Sequence, residues 1–258
     1  MKILFVMGGL RFGGYEVLNV EIANQLIERG FEVSIISFSK EDQLLSRVSD
    51  SIDIFYVDKS SKLSALLEVR KALKIIKPDI ILSCDILEYL IPRIGSVFLK
   101  HKARFIYAFH VTKPPTKKDH FWNKVLSFSD RIFRDNKIAI HRSQIDFYNS
   151  NYSLSEERFS LIYNGVDTEK FCPAVKREES AGDIIRLVHV ASLKPLKDQW
   201  TLLKAMVELN KNSKDWELNI AGSDVAGLKS EYSIFLKGNG LESKVNFLGP
   251  VKDVRSLL

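Results

Sequence analysis

Short apolar runs alternate with helix-length amphipathic segments along almost the whole chain. That is the pattern of repeated strand–helix–strand units that build a parallel sheet. Lys2–Met7 reads as a buried strand and Gly14–Arg29 as the helix after it, with Val17, Val20, Ala23 and Leu26 on one face and Gly30 as its stop. Strands are expected at Glu32–Phe38 and Ile54–Val57. A helix follows at Ser61–Lys77, carrying Leu63, Leu66, Leu67, Val69, Leu73 and Ile76 and ended by Pro78. Further strands are read at Ile80–Ser83, Arg104–His110, Ile138–Ile140 and Phe159–Tyr163, and helices at Leu87–Leu99, His120–Asp130 and through Tyr148. About seven strands suffice for one doubly wound sheet.

Phe171–Asp183 breaks the pattern with a proline, a charged cluster, small residues and no periodicity, and is expected to be an interdomain linker. The alternation then restarts. Strands are read at Ile185–Ala191, Trp216–Ala221 and Lys244–Leu248, helices at Lys197–Asn210 and Leu228–Lys237, and the opening of another helix at Asp253–Leu258. The expectation is an α/β protein with domains at 1–170 and 184–258 and a linker at 171–183. The second domain is expected to be incomplete, because a doubly wound domain carries more strands than this.

Composition changes the picture little. The chain has 258 residues, 45% hydrophobic and 27% charged, an ordinary globular balance. No apolar run approaches the roughly 20 residues that span a bilayer. The first strand is too short for a signal-peptide core, so a cytoplasmic location is expected. Cys84 and Cys172 are far apart, with no CxxC pair and no histidine at metal spacing, and read as reduced thiols. The net charge of +6 allows nucleic acid, an anionic membrane or a nucleotide-sugar as partner without choosing among them. Lys100–Arg104 is basic, and so is the stretch with Lys113, Lys117, Lys118 and Lys124, which also holds Phe121, Trp122, Val125, Leu126 and Phe128. Two readings stand for that stretch: a membrane-surface segment, or a core-facing helix with a solvated lysine face.

In open α/β sheets, ligands bind outside the carboxyl ends of the strands, so the loops there carry the candidate chemistry. Met7–Gly14 holds four glycines in seven residues, which lets another group approach the backbone beside free helix N–H groups. Neither a P-loop nor a GxGxxG motif fits it, since Gly14-Tyr15 stands where Lys and Ser/Thr would be required. His110 ends a strand. Ala191–Gln199 places Lys197 at an expected helix start, a position that favours a shared anion such as a diphosphate. Ala221-Gly222-Ser223-Asp224 is a small polar turn at the same edge. Such facing mouths would make a cleft for a nucleotide-linked anion.

Gly13-Gly14-Tyr15-Glu16 and Val17–Leu26 resemble the Gly-Gly-x-Glu loop and first helix of the family 4 retaining glycosyltransferases, which have the GT-B fold of two Rossmann-like domains. Leu161–Phe171, with Asn164-Gly165-Val166-Asp167, resembles the family's Asn-Gly-Val-Asp segment, and Val188–Leu203 its Gly-Arg-Leu-x-x-x-Lys loop and helix. Asn219–Gly222 and Asn246–Val251 resemble the next two strand ends. The resemblance implies retaining, metal-independent transfer of a sugar from a UDP- or GDP-sugar to a glycan or lipid-linked acceptor, as in polysaccharide assembly. It implies no cofactor and no nucleic-acid partner, and it allows peripheral contact with an anionic membrane, placing the protein in the cytoplasm or at the inner face of the plasma membrane.

By that resemblance Gly13, Gly14, Lys197, Ser192 and Lys194 are the donor diphosphate group, with Gly222 on the donor-side loop. His110 is the catalytic residue, His110 and Glu16 lie on the acceptor side, and Asn164 and Gly165 shape the hinge. The family's Gly and Arg are Ala191 and Ser192 here, so one diphosphate cation is missing unless Lys194 replaces it. The family's later Glu-x7-Glu loop would lie beyond Leu258. The chain therefore reads as C-terminally truncated, with impaired turnover expected. The alternative is a non-catalytic acceptor- or partner-binding subunit, or a degenerate fragment of such an enzyme.

Overall fold

The structure is a computed structural model that describes residues 1–58, 61–111, 116–173, 184–211, 215–251 and 253–257. Lys113, most of the expected linker (174–183) and Leu258 lie outside the described residues. The chain divides into two compact units, Met1–Gly165 and Val166–Leu258.

The first unit is built from strands β1 (Lys2–Met7), β2 (Glu32–Ser37), β3 (Asp53–Tyr56), β4 (Ile80–Ser83), β5 (Arg104–Phe109), β6 (Asn136–Ala139) and β7 (Phe159–Leu161). They form one parallel sheet in the order β3-β2-β1-β4-β5-β6-β7. Helices α1 (Gly14–Glu28), α2 (Lys62–Ile76), α3 (Ile86–Gly95), α4 (Lys117–Phe133) and α5 (Arg142–Tyr152) connect them. Right-handed crossovers send chain that winds in opposite directions along the sheet to opposite faces. Accordingly Val20 and Ala23 of α1 pack with Ile3, Phe5 and Ile35 on one face. Residues of α2 to α5, among them Val69, Tyr89, Leu126 and Tyr148, pack with Leu4, Ile81 and Phe105 on the other. β1 is covered on both sides, which is why it reads as an unbroken apolar run.

The second unit has strands β8 (Ile185–Val190), β9 (Trp216–Ala221) and β10 (Val245–Gly249), parallel in the order β10-β9-β8, with α6 (Gln199–Asn210) and α7 (Lys229–Gly238). Its core gathers Leu203, Met206, Trp216, Ile220, Tyr232 and Leu236.

Several expected boundaries move, each for a local reason. α4 begins at Lys117 because Thr116 and Asp119 form a reciprocal capping box. β6 starts at Asn136, since Lys137 is buried through an ion pair with Asp130 and so joins the sheet despite its charge. Leu63 and Leu67, expected on a packed helix face, point outward from α2. In α4, Leu126 is buried and Trp122 and Val125 pack on the core, while Phe121 and Phe128 stay exposed. Val254–Leu257 forms only a short 3-10 turn.

Candidate active site

The strand order of the first sheet reverses between β1 and β4, and the crevice outside the carboxyl ends of those two strands is where such folds bind ligands. The glycine loop leaves β1 there, and the β4–α3 junction stands beside it. Three segments of the first unit supply polar groups there: the glycine loop with the start of α1, the β4–α3 junction, and His110 after β5.

Glu88 is the buried centre. Its carboxylate accepts from the Asp85 N–H at 3.1 Å and the Cys84 N–H at 3.4 Å, as half of the capping box that starts α3. It also accepts from the Tyr15 hydroxyl at 3.4 Å. A Cβ on Gly8 would lie 2.9 Å from the same carboxylate, so glycine lets the loop close over Glu88. Tyr15 in turn stacks on His110, with ring centroids 5.8 Å apart and planes 28° from parallel. Burial, then the charges of Glu88 and Glu16, push the Tyr15 phenol upward and keep it a neutral donor. Burial pushes His110 below the ordinary imidazole value of 6.5, so it is neutral at pH 7 and can both donate and accept. Asn19 Nδ2 donates to Cys84 Sγ at 3.3 Å, and burial pushes that thiol up to about 12, an inert packing group.

Glu16 is buried and bonded to Arg11 Nε at 3.2 Å, and its carboxylate folds over Gly13, where a Cβ would come within 2.0 Å. It holds the glycine loop together. A Cβ on Gly14 would meet nothing within 4 Å, so this helix N-terminus is bare backbone in open space. Gly13 at the N-cap is extended and supplies no side-chain cap. The free N–H groups there suit an anion.

In the second unit, Lys194 and Lys197 are exposed on the loop after β8. Lys197 is not the first residue of α6 as expected. It closes a 3-10 turn, Pro195–Lys197, and Asp198 follows as the N-cap, its side chain bonded to the Thr201 N–H at 3.4 Å. The cap carboxylate satisfies the helix end, so the dipole argument for an anion at Lys197 falls away and its exposure beside His189 remains. Burial, then Lys197, lower the His189 pKa. Ser192 contributes its carbonyl to the Gln199 amide at 3.0 Å. Gly222, at φ +154°, packs on that loop: a Cβ there would lie 2.0 Å from the Ala191 carbonyl oxygen. Asn164 and Gly165 lie exposed in the irregular stretch after β7, at the last residues of the first unit.

The structure thus brings His110, Tyr15, Glu88, Gly8, Gly13 and Glu16 together at one sheet edge, and Ser192, Lys197, His189 and Gly222 at another. Tyr15 and Glu88 were not anticipated, because 73 residues separate them in sequence and only the strand order joins them. Among the described residues, no group of three or more His, Cys, Asp or Glu side chains could hold a metal.

Two parallel α/β units in tandem, with glycine and basic loops at the strand ends, are the build of GT-B glycosyltransferases, and solved structures share the fold. Anabaena Alr3699/HepE, solved with UDP and glucose, is 20% identical over all of this chain and 71% of its own, with a TM-score of 0.81. A Rickettsia africae glycosyltransferase gives 17% identity, 99% and 70% coverage and a TM-score of 0.75. Sucrose-phosphate synthase from Thermosynechococcus elongatus gives 14%, 100% and 72%, and 0.72. The family model Glycosyltransferase Family 4 matches residues 12–170, more than half of the sequence, and the chain belongs to that family. No curated protein matches it.

Proposed function

We propose that this protein transfers a sugar, with retention and without a metal, from a UDP- or GDP-sugar to a glycan or lipid-linked acceptor. The observation that carries the reading is the His110–Tyr15–Glu88 chain beside the bare glycine loop at the strand-order reversal. A neutral imidazole held by a stacked ring can take a hydrogen bond from a sugar or acceptor hydroxyl while its orientation stays fixed. Gly14 faces open space and leaves room for a donor diphosphate or the sugar next to it, while Gly13 lets the Glu16 carboxylate fold over the loop beside it. Lys197, with Lys194, would neutralise the charge that builds on the leaving diphosphate, an electrostatic role that grows toward the transition state. Solved relatives in fold carry UDP or UDP-glucose, which favours a uridine donor as the first to assay. The acceptor side works at an anionic membrane, a partner that the basic and aromatic positions of α4 support. No helix among the described residues is long and apolar enough to cross a membrane.

The test is sugar release and transfer from UDP-glucose and GDP-mannose, with and without EDTA, in wild type and His110→Ala. The reading expects EDTA-resistant turnover that His110→Ala reduces far more than it reduces UDP binding. Equal loss of turnover and binding would leave His110 a structural residue. Saturable UDP binding with no turnover would favour the binding-subunit reading.

A further inference from the structure

The turn that leaves α3 holds an aromatic residue where folding alone does not favour one. The Leu99 N–H closes the turn on the Ser96 carbonyl at 3.0 Å, and Phe98 occupies its third position at φ +63°. Glycine or asparagine usually fills that position, because a Cβ crowds the left-handed backbone. Nothing buries the ring in return: Phe98 is 95% exposed, whereas its neighbour Leu99 packs on the core beneath α2 to α5. The other non-glycine residues with positive φ among the described ones are Lys77, Arg134, Ser153 and Asp198. All four are polar and cap helices. Phe98 is braced as well. Arg70 of α2 donates from Nη1 to the Gly95 and Val97 carbonyls at 2.8 and 2.6 Å, so the outward ring sits on a fixed turn.

The helix layer around this turn is apolar and basic. Leu63 and Leu67 on α2, Ile94 and Val97 at the end of α3, and Phe121 and Phe128 on α4 are exposed. Lys71, Lys74, Lys100, Lys102, Lys124 and Arg131 are exposed in the same elements and the turn between them. The carboxylates of these helices are engaged elsewhere. Glu68 accepts from the Asp58 N–H and Ser64, and Glu88 from Asp85 and Tyr15. Asp119 caps α4, and Asp130 pairs with buried Lys137. Apart from Asp130 these carboxylates keep their charge, as does Asp85 at the start of α3, but the exposed lysines and arginines of these elements outnumber them, which leaves the layer net cationic with apolar points. That complements an acidic lipid surface, where rings enter the boundary of the acyl chains and lysines meet the headgroups.

We propose that this face docks on an anionic lipid bilayer and that Phe98 is its inserting residue. The proposal deepens the membrane part of the function proposed above and rests on it. Flotation of the chain with phosphatidylcholine vesicles, with and without phosphatidylglycerol, tests it. The expected result is binding only when phosphatidylglycerol is present, loss of that binding in high salt, and weakening by about tenfold or more in Phe98→Gly, from the apolar area of one ring. Glycine accepts φ +63° without crowding, so the same variant should melt at the wild-type temperature or above it. Equal binding to both vesicle types, wild-type binding by Phe98→Gly, or a lowered melting temperature in that variant would overturn the proposal. So would binding to a single-stranded RNA oligonucleotide in place of vesicles. UDP binding measured on the same samples reports the transfer reading separately, so failure of one is not failure of the other.

Discussion

The two units place polar loops at the carboxyl ends of parallel strands, yet hold them by different means. In the first, buried side chains do it: Glu88 ties the β4–α3 junction to Tyr15, Tyr15 stacks on His110, and Glu16 with Arg11 closes the glycine loop. In the second, backbone lies directly on backbone, Gly222 against Ala191, while Lys194 and Lys197 stand in solvent. In the transfer proposed above, a neutral group acting at His110 needs fixed orientation and partial desolvation, which buried neighbours give. A cation for a diphosphate needs only to be near and free to move, and exposure allows that.

This contrast can be broken at its strongest point first. Gly222→Ala drives a methyl into the Ala191 carbonyl and should destabilise the second unit by about 3 kcal/mol or more, seen in urea unfolding. Gly14→Ala faces open space and should change stability by no more than about 0.5 kcal/mol. If both glycines cost the same, the backbone-on-backbone account of the second loop is wrong. Next, Lys197→Ala should leave the melting temperature unchanged and weaken UDP binding about tenfold or more, the worth of a charge-assisted bond. A smaller effect follows from the histidines. His110 and His189 both have folded pKa values below the ordinary 6.5, so the unfolded chain binds more protons in that window. Their contribution to stability is present above pH 6.5 and is lost as the pH falls from there through the folded values. Unfolding at pH 5.5 and 7.5 should therefore differ less in His110→Asn than in wild type. The smallest change is expected for Tyr15→Phe, which keeps the stack and loses one long hydrogen bond, whereas Tyr15→Leu should move the His110 titration toward 6.5 by NMR.

The sheet was legible because its signals are local. Lys2–Met7 is an unbroken apolar run, and Val20 and Ala23 sit at helical spacing and are buried as that spacing requires. Where a charge is neutralised at a distance, the pattern misled. Lys137 looks like a loop residue until Asp130 is placed beside it, and Lys197 looks like a helix start although Asp198 one residue on caps it. His110 and the glycines could be picked from strand ends alone. Tyr15 and Glu88 could not, because their contact exists only once β1 and β4 lie side by side. Phe98 carried no signal at all, since an aromatic residue in a turn is an outlier only when its φ is known.

Titration of the isotope-labelled chain with UDP, followed by backbone amide NMR, tests the central claim most directly. The account predicts saturable shifts in the 191–199 loop, a clear loss of affinity in Lys197→Ala, and unchanged affinity in His110→Ala. No saturable shift in that loop, or binding that Lys197→Ala leaves intact, would contradict a nucleotide-sugar site in this protein.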